Sequence, residues 1–310
     1  MLTYYTKRSQ NETVQTYRTP PSSGGWAAGQ RISKEELDYL IDRYQLDAAT
    51  AYDALDRHEL PRAEYVDGKL YLFLRTPHRV KHGEVVSSPL LIVVGAEAFI
   101  TVSVADFDLP LDQSASIQSF EAKTAGQMVC LMLASVVGVY ETHVRRTARF
   151  IRDTGHRLRS HEATNRDFIR FVTVEDNLNQ FEMDLSGLKA VLCRLHEDSR
   201  LPIDQTDYES VDDMAQHVEQ LLVSINSYSQ SVTSIRNAYS TVANNILNQR
   251  MKTLTIITVL IALPNVFYGM YGMNVALPFA EQPWAFAAMV AFTVLLILLV
   301  LVIAKRSRIL

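Results

Sequence analysis

MKTLTIITVLIALPNVFYGMYGMN, residues 251–274, decides the architecture. No charge falls between Thr253 and Ala280, and residues 253–304 contain a single charged side chain, Glu281. As helices, Thr253–Met270 would run ~27 Å and Trp284–Ala304 ~31 Å at 1.5 Å per residue. Both match a hydrocarbon layer of ~30 Å. Two C-terminal spans follow, joined by a short loop, and a wholly soluble protein is excluded. Arg250 and Lys252 precede the first span, Lys305, Arg306 and Arg308 follow the second, and the loop has neither Lys nor Arg. The positive-inside rule therefore puts both termini in the cytoplasm and the loop outside a cell (inner) membrane. Trp284 stands where an interfacial anchor belongs, and the basic tail meets lipid head groups.

The rest of the chain differs in kind. Four of the 30 basic residues and one of the 34 acidic ones fall in 251–310, leaving 26 and 33 in residues 1–250, a net charge of −7. An acidic soluble part argues against nucleic acid as a partner. Two cysteines, Cys130 and Cys193, make no disulfide framework and read as buried free thiols. The first residues hold no apolar core of signal-peptide length.

Residues 203–263 contain neither Gly nor Pro, which favours one continuous helix running into the first span. From near Val211 to near Met270 it would measure ~90 Å. Met214, Val218, Leu221, Ile225, Tyr228, Val232, Ile235, Tyr239, Val242 and Ile246 recur at 4,3 spacing, a coiled-coil-like seam. The opposite face carries sixteen uncharged positions at the same spacing, from Gln216 and Gln220 through Asn248, Met251, Thr255, Thr258, Ala262 and Asn265 to Gly269. A solvent face would carry Lys and Glu, and a lipid face Leu and Val. The stripe suits the wall of a narrow, watery, uncharged lumen. The competing reading is helix packing through small residues, which the Gln and Asn disfavour because they are costly in a dry interface. Two spans cannot enclose a pore alone, so a lumen requires a cyclic homo-oligomer.

Tyr271-Gly272-Met273-Asn274 follows this helix directly. Together with two C-terminal spans, a basic tail, Met251–Ile257 before the motif and Gly269–Asn274 at it, it resembles the CorA family of divalent-cation channels. The resemblance extends to the strands Tyr65–Leu74 and Leu90–Val104 and is least clear over the first ~30 residues. It implies a funnel-shaped homopentamer with a cytoplasmic α/β domain. The first span would line the pore and the second face lipid. Gly272, Met273 and Asn274 would form the selective outer mouth, with Glu281 later in the loop. Cations would flow down their electrochemical gradient until intracellular magnesium closes the gate. Asp213, in Asp213-Met-Ala-Gln-His217, resembles a carboxylate that senses magnesium between subunits. Two departures stand out: Val275-Ala-Leu-Pro-Phe-Ala-Glu281 replaces the acidic stretch usual after the motif, and Pro264 lies one position late. A zinc-transporting branch, the ZntB type, stays open.

The residue types suit such cargo. Magnesium gives up its waters reluctantly, so a ring of Asn274 carboxamides would bind coordinated water rather than bare metal. Gly272 would let the backbone turn, and Met273 would pack the turn against a neighbouring subunit. Residues 251–310 hold no His or Cys, which argues against dehydrated zinc coordination in the membrane. Met251, with Leu254 or Thr255 one turn deeper, sits where a hydrophobic constriction would gate by dewetting. The cargo reading is Mg2+, with Co2+, Ni2+ or Zn2+ as further candidates.

The soluble region reads as α/β, so the fold class is an α+β membrane protein. Ser33-Lys-Glu-Glu36 is a capping box opening a helix through Tyr44, and Asp47–Arg57 reads as a second helix. Arg62–Val66 and Lys69–Leu74 flank Asp67-Gly68, a hairpin signal. Leu90–Val94 and Phe99–Val104 flank another turn. Ser116–Thr154 and Arg166–Glu197 read as helices broken near Gly155 and His161. The expected divisions are a cytoplasmic α/β domain (1–160), a helical region and stalk (161–252), a pore-lining span (253–271), an external loop (272–283), a second span (284–304) and a basic tail (305–310). No Walker loop, dinucleotide fingerprint or zinc motif is present, and the eight histidines are scattered, so no enzyme is expected. A non-conducting membrane-anchored scaffold is the alternative of a different class.

Overall fold

A computed structural model of the chain describes residues 2–6, 15–17, 25–79, 85–95, 98–106, 124–159, 165–197, 205–273 and 282–306. It separates into two compact units, residues 1–234 and 235–310.

The first unit is built on a seven-stranded sheet: β1 (Leu2–Thr6), β2 (Gln15–Tyr17), β3 (Trp26–Gly29), β4 (Arg62–Val66), β5 (Lys69–Arg79), β6 (Val85–Val94) and β7 (Phe99–Ser103), in the spatial order β2-β1-β3-β7-β6-β5-β4. All pairings are antiparallel except β3 with β7. That parallel join is sealed by a buried bond from the Trp26 indole N–H to Thr101 Oγ1, 2.9 Å. Strands β1 to β3 were not legible in the sequence. The expected β5 and β6 are also longer than anticipated, because their pairing continues to Arg79 and Val85.

The β4–β5 hairpin is the one expected. Asp67 and Gly68 both take positive φ, 49° and 75°, as a two-residue primed turn requires, and Val66 faces Lys69. Helix α1 (Lys34–Tyr44) starts in the anticipated capping box: Ser33 Oγ accepts from the Glu36 amide and Glu36 Oε2 accepts from the Ser33 amide, each 3.2 Å. The second helix is shorter than expected. Helix α2 (Ala48–Tyr52) tightens into a 3₁₀ turn at Asp53–Leu55 and stops. Beyond it the Arg57 and Glu59 carbonyls turn away to accept from Arg75 Nη1, at 3.0 and 2.8 Å. One sheet face buries Tyr71, Phe73, Leu91, Val93 and Val102 against Leu37, Leu40, Ala51 and Ala54 of these helices. Each large side chain so buried contributes ~1.5–3 kcal/mol.

Helices α3 (Ala125–Arg159) and α4 (Asn165–Glu197) follow. The break expected at Gly155 does not occur, and α3 runs four residues past it. Thr154 beside it is fully buried, and Arg157 reaches both Thr154 Oγ1 (3.1 Å) and Asp167 Oδ1 of α4 (2.7 Å). These anchors outweigh the ~1 kcal/mol that glycine costs a helix. The expected start at Ser116 and the expected break at His161 lie outside the described residues.

Helix α5 (Gln205–Tyr271) is a single element of 67 residues with Pro264 inside it, as the break-free stretch required. In the first unit its Val211, Val218, Leu221, Ile225 and Val232 are buried. Lys189 Nζ to Glu219 (3.1 Å) and His217 Nε2 to Glu141 (3.7 Å) tie it to α4 and α3. In the second unit the end of α5 packs against α6 (Ala285–Arg306), where Phe267 and Phe292 meet edge to face at 5.2 Å.

Candidate functional site

Among the described residues three helices are long and apolar enough to cross a membrane: Ala125–Arg157, Asp207–Tyr271 and Ala285–Ala304. The sequence reading counted only the last two. The apolar window of α3 is half buried, its Met128, Met132, Leu133, Val136 and Tyr140 being covered within the first unit. The windows of α5 and α6 are almost entirely uncovered by their own chain.

Which side of α5 is uncovered carries the argument. All sixteen stripe positions, from Gln216 to Gly269, are exposed. In the first unit the buried seam residues lie opposite them. Over residues 251–271 the half-buried residues of α5 are Ile256, Leu260, Leu263, Pro264 and Phe267, and Phe267 meets Phe292 of α6. At 3.6 residues per turn the centre of Met251, Thr255, Thr258, Ala262, Asn265 and Gly269 lies ~200° around the helix from that half-buried side. In the first unit, and over residues 251–271 of the second, the uncharged stripe therefore lies opposite the covered side of the helix.

The stripe's hydroxyls are polarised. Thr241, Thr255 and Thr258 each donate to the carbonyl four residues back, Asn237, Met251 and Leu254, at 3.0, 2.9 and 2.9 Å. With the proton committed to the helix, each oxygen offers only lone pairs outward. Asn248, Ala262 and Asn265 complete an uncharged surface, and Met251 and Leu254, the expected constriction, are 56 % and 59 % exposed.

At the end of α5 the Gly272 amide donates to both Tyr268 O (3.0 Å) and Gly269 O (3.2 Å), and the Met273 amide to Met270 O (3.3 Å). The helix thus closes in a tightened turn, and Gly272 does so without a positive φ. Among the described residues a Cβ on Gly272 would touch the Tyr268 carbonyl only at ordinary contact distance, and one on Gly269 would meet nothing within 4 Å. Among those residues, then, neither glycine is crowded by its own chain. Met273 is 58 % exposed. Asn274 and Glu281 lie outside the described residues.

Asp213 is exposed on α5. Its neighbour Asp212 accepts from Gln216 at 3.1 Å. Among the described residues no group of three or more His, Cys, Asp or Glu side chains could hold a metal ion. Cys130 is buried, as expected, and burial pushes its thiol up to about 11. Cys193 is exposed instead, because Leu188, Val191, Leu192 and Leu195 take the core side of α4.

Residues 24–306 match the model of the family described as CorA-like Mg2+ transporter protein. The chain belongs to this family. It is thus a member of a transporter family rather than of an enzyme family, as the motif and the two C-terminal spans implied. The cobalt/magnesium transport protein CorA of Methanocaldococcus jannaschii is 34 % identical over 109 residues, and that match spans 34 % of the length of each protein. The complete structure of the CorA magnesium transporter from the same organism superposes with a TM-score of 0.81 at 20 % identity, covering 99 % of this chain and 98 % of that one. The ZntB cytoplasmic domain from Vibrio parahaemolyticus gives a TM-score of 0.62 at 10 % identity over 78 % of this chain and 98 % of that one. These structural likenesses establish the CorA fold: a soluble α/β part, a very long helix and a C-terminal helix.

Within this CorA-type chain, sequence reasoning missed one polar cluster. Arg75, at the end of the apolar run Leu70–Leu74, is buried with its Nε 3.0 Å from Asp184 Oδ1 of α4. Asp184 also accepts from Tyr140 Oη and Gln180 Nε2, both 2.9 Å. Arg75 Nη2 reaches the Ser87 carbonyl at 2.7 Å. Burial pushes Asp184 above the usual carboxylate range and Tyr140 well above the usual phenol range. The only hint in the sequence was a lone arginine inside a hydrophobic strand.

Proposed function

We propose that the chain is a membrane-embedded, divalent-cation transporter that works as a homo-oligomer, with Mg2+ as its principal cargo. The observation that carries this reading is the stripe of α5: uncharged, exposed, and opposite the covered side of the helix in the first unit and over residues 251–271 of the second. A ring of such helices would close a lumen walled by hydroxyl and carboxamide oxygens. Oxygen ligands suit a hard cation that keeps its waters. The chain's lack of His and Cys beyond residue 251 speaks against a dehydrated transition metal in the spans.

Both termini lie on the cytoplasmic side, the second span faces lipid, and the assembly is the pentamer implied by the Gly272-Met273-Asn274 motif. Met251 and Leu254 narrow the path, and Mg2+ bound between neighbouring acidic soluble units holds it shut. Differential binding of Mg2+ to the closed arrangement is the linkage that gating requires.

Flux into liposomes, with Mg2+, Co2+, Ni2+ and Zn2+ offered separately, tests the reading. Mg2+ entry down its gradient is the expected result. Entry of Zn2+ with exclusion of Mg2+ reassigns the cargo to the ZntB-type alternative. Absence of flux for all four from an assembled oligomer leaves the scaffold.

A further inference from the structure

A second polar site lies in the first unit, independent of the transport reading. A cleft of about 620 Å3 opens where the ends of β5 and β6 meet the α4 face and the segment after the 3₁₀ turn. Its lining includes Arg57, His58, His78, Ser88, Asp176 and Asn177. The volume is within the range of small-molecule sites, ~300–1,000 Å3.

The polar side chains here are unusually short of partners. Asn177 is 9 % exposed and Ser88 7 %, and neither side chain makes a hydrogen bond with the described residues. His78 Nδ1 is buried without a partner among the described residues, and so is Oγ1 of Thr76, which lies outside the lining but pairs with Ser88 across the β5–β6 ladder. Buried polar groups are normally paired, and a cluster of exceptions calls for an explanation. Elsewhere the same neighbourhood is well satisfied, since Gln180 and Arg75 spend their donors on Asp184, Ser87, Arg57 and Glu59. The charge of Arg75 is matched by Asp184. The Arg57 guanidinium and the His58 ring stand exposed at the rim and form no ion pair among the described residues.

We propose that this cleft binds a small phosphate-bearing anion. Arg57, His58, His78, Ser88 and Asn177 can each donate, and phosphate oxygens accept several bonds at once. Among the described residues no Phe, Tyr or Trp lines the cleft, and Val85, Val86 and Val104 form its apolar part, so the donors rather than a broad stacking platform set what it binds. Asp176, the one carboxylate in the lining, suits a hydroxyl on the organic part of a phosphomonoester.

The test is titration of the full-length protein in detergent with inorganic phosphate and with glycerol phosphate, in magnesium-free buffer, read by calorimetry and by thermal shift. Saturable binding of either is expected, and the tighter of the two identifies free phosphate or a phosphomonoester. Asn177→Asp, nearly isosteric but negative, should weaken binding about tenfold or more, and Arg57→Gln about three- to tenfold. Arg57 is exposed, so its variant folds even if Asn177→Asp does not. Absence of saturable binding to the wild type overturns the proposal, as does unchanged affinity in Arg57→Gln together with a folded Asn177→Asp.

Discussion

Arg75 Nε stands 3.0 Å from Asp184 Oδ1, with the two side chains only 8 % and 2 % exposed, so strand β5 and helix α4 are joined by a charge pair inside the first unit. The Nε–H is not aligned for a hydrogen bond, and the other Arg75 donors go to backbone carbonyls. Removing one partner strands the other charge, whereas removing both does not. Asp184→Ala and Arg75→Met should each cost ~3–5 kcal/mol of stability, and Arg75→Met combined with Asp184→Leu distinctly less. Denaturant unfolding of the four proteins decides it, and additive losses would refute the pairing.

Asp184 also predicts a pH effect. Its folded-state pKa is raised by burial, so the folded chain keeps a proton there after the unfolded chain has lost it. Its contribution is complete below the ordinary carboxylate range and is lost as pH rises through the raised value. Stability measured at stepped pH should fall across that window in the wild type and less in Asp184→Asn.

Labelling tests the stripe. In a Cys193→Ser background, which removes the exposed native thiol, cysteines at Thr258 and Asn265 should react with small water-soluble reagents faster than cysteines at Val259 and Val266. Equal rates would place lipid or solvent uniformly around α5.

Among the described residues Gly269 has open space around it. Gly269→Ala should therefore leave the folded chain intact, since alanine favours a helix by ~0.5–1 kcal/mol over glycine. Mg2+ flux should nevertheless drop, because a methyl on each copy would narrow the proposed lumen. Wild-type flux in a correctly assembled variant argues that the glycine packs elsewhere.

Asn274→Ala should abolish or strongly reduce Mg2+ flux with the oligomer intact, since the proposed outer ring would lose its water-binding amides. Normal flux removes Asn274 from selectivity.

Magnesium should protect the wild-type soluble part from limited proteolysis, and Asp213→Asn or Asp213→Lys should shift the concentration needed. Asp213 lies on the same helix as the stripe, so an ion held there would bear on the helix that carries Met251. No protection of the wild type would require another regulatory ion.

The sequence by itself determined several features that depend on neighbours within a few residues. The Asp67-Gly68 turn, the Ser33–Glu36 capping box, the unbroken course of α5 and its seam and stripe all follow from local dihedral preferences and a 3.6-residue period. The apolar helix at Ala285–Arg306 was legible for the same reason. Tertiary structure decided what sequence separation hides. Three-residue β2 and four-residue β3 carry too little periodicity to be read, and β3 exists as a sheet element because β7, some seventy residues later, supplies its parallel partner. The apolar stretch of α3 has the composition of a membrane span, but α3 lies against its own chain, where Tyr140 bonds Asp184. Hydropathy registers only that a surface must be covered. Whether protein or lipid covers it is fixed by which distant residues arrive, and for Arg75 the arriving residue is Asp184, 109 positions along the chain.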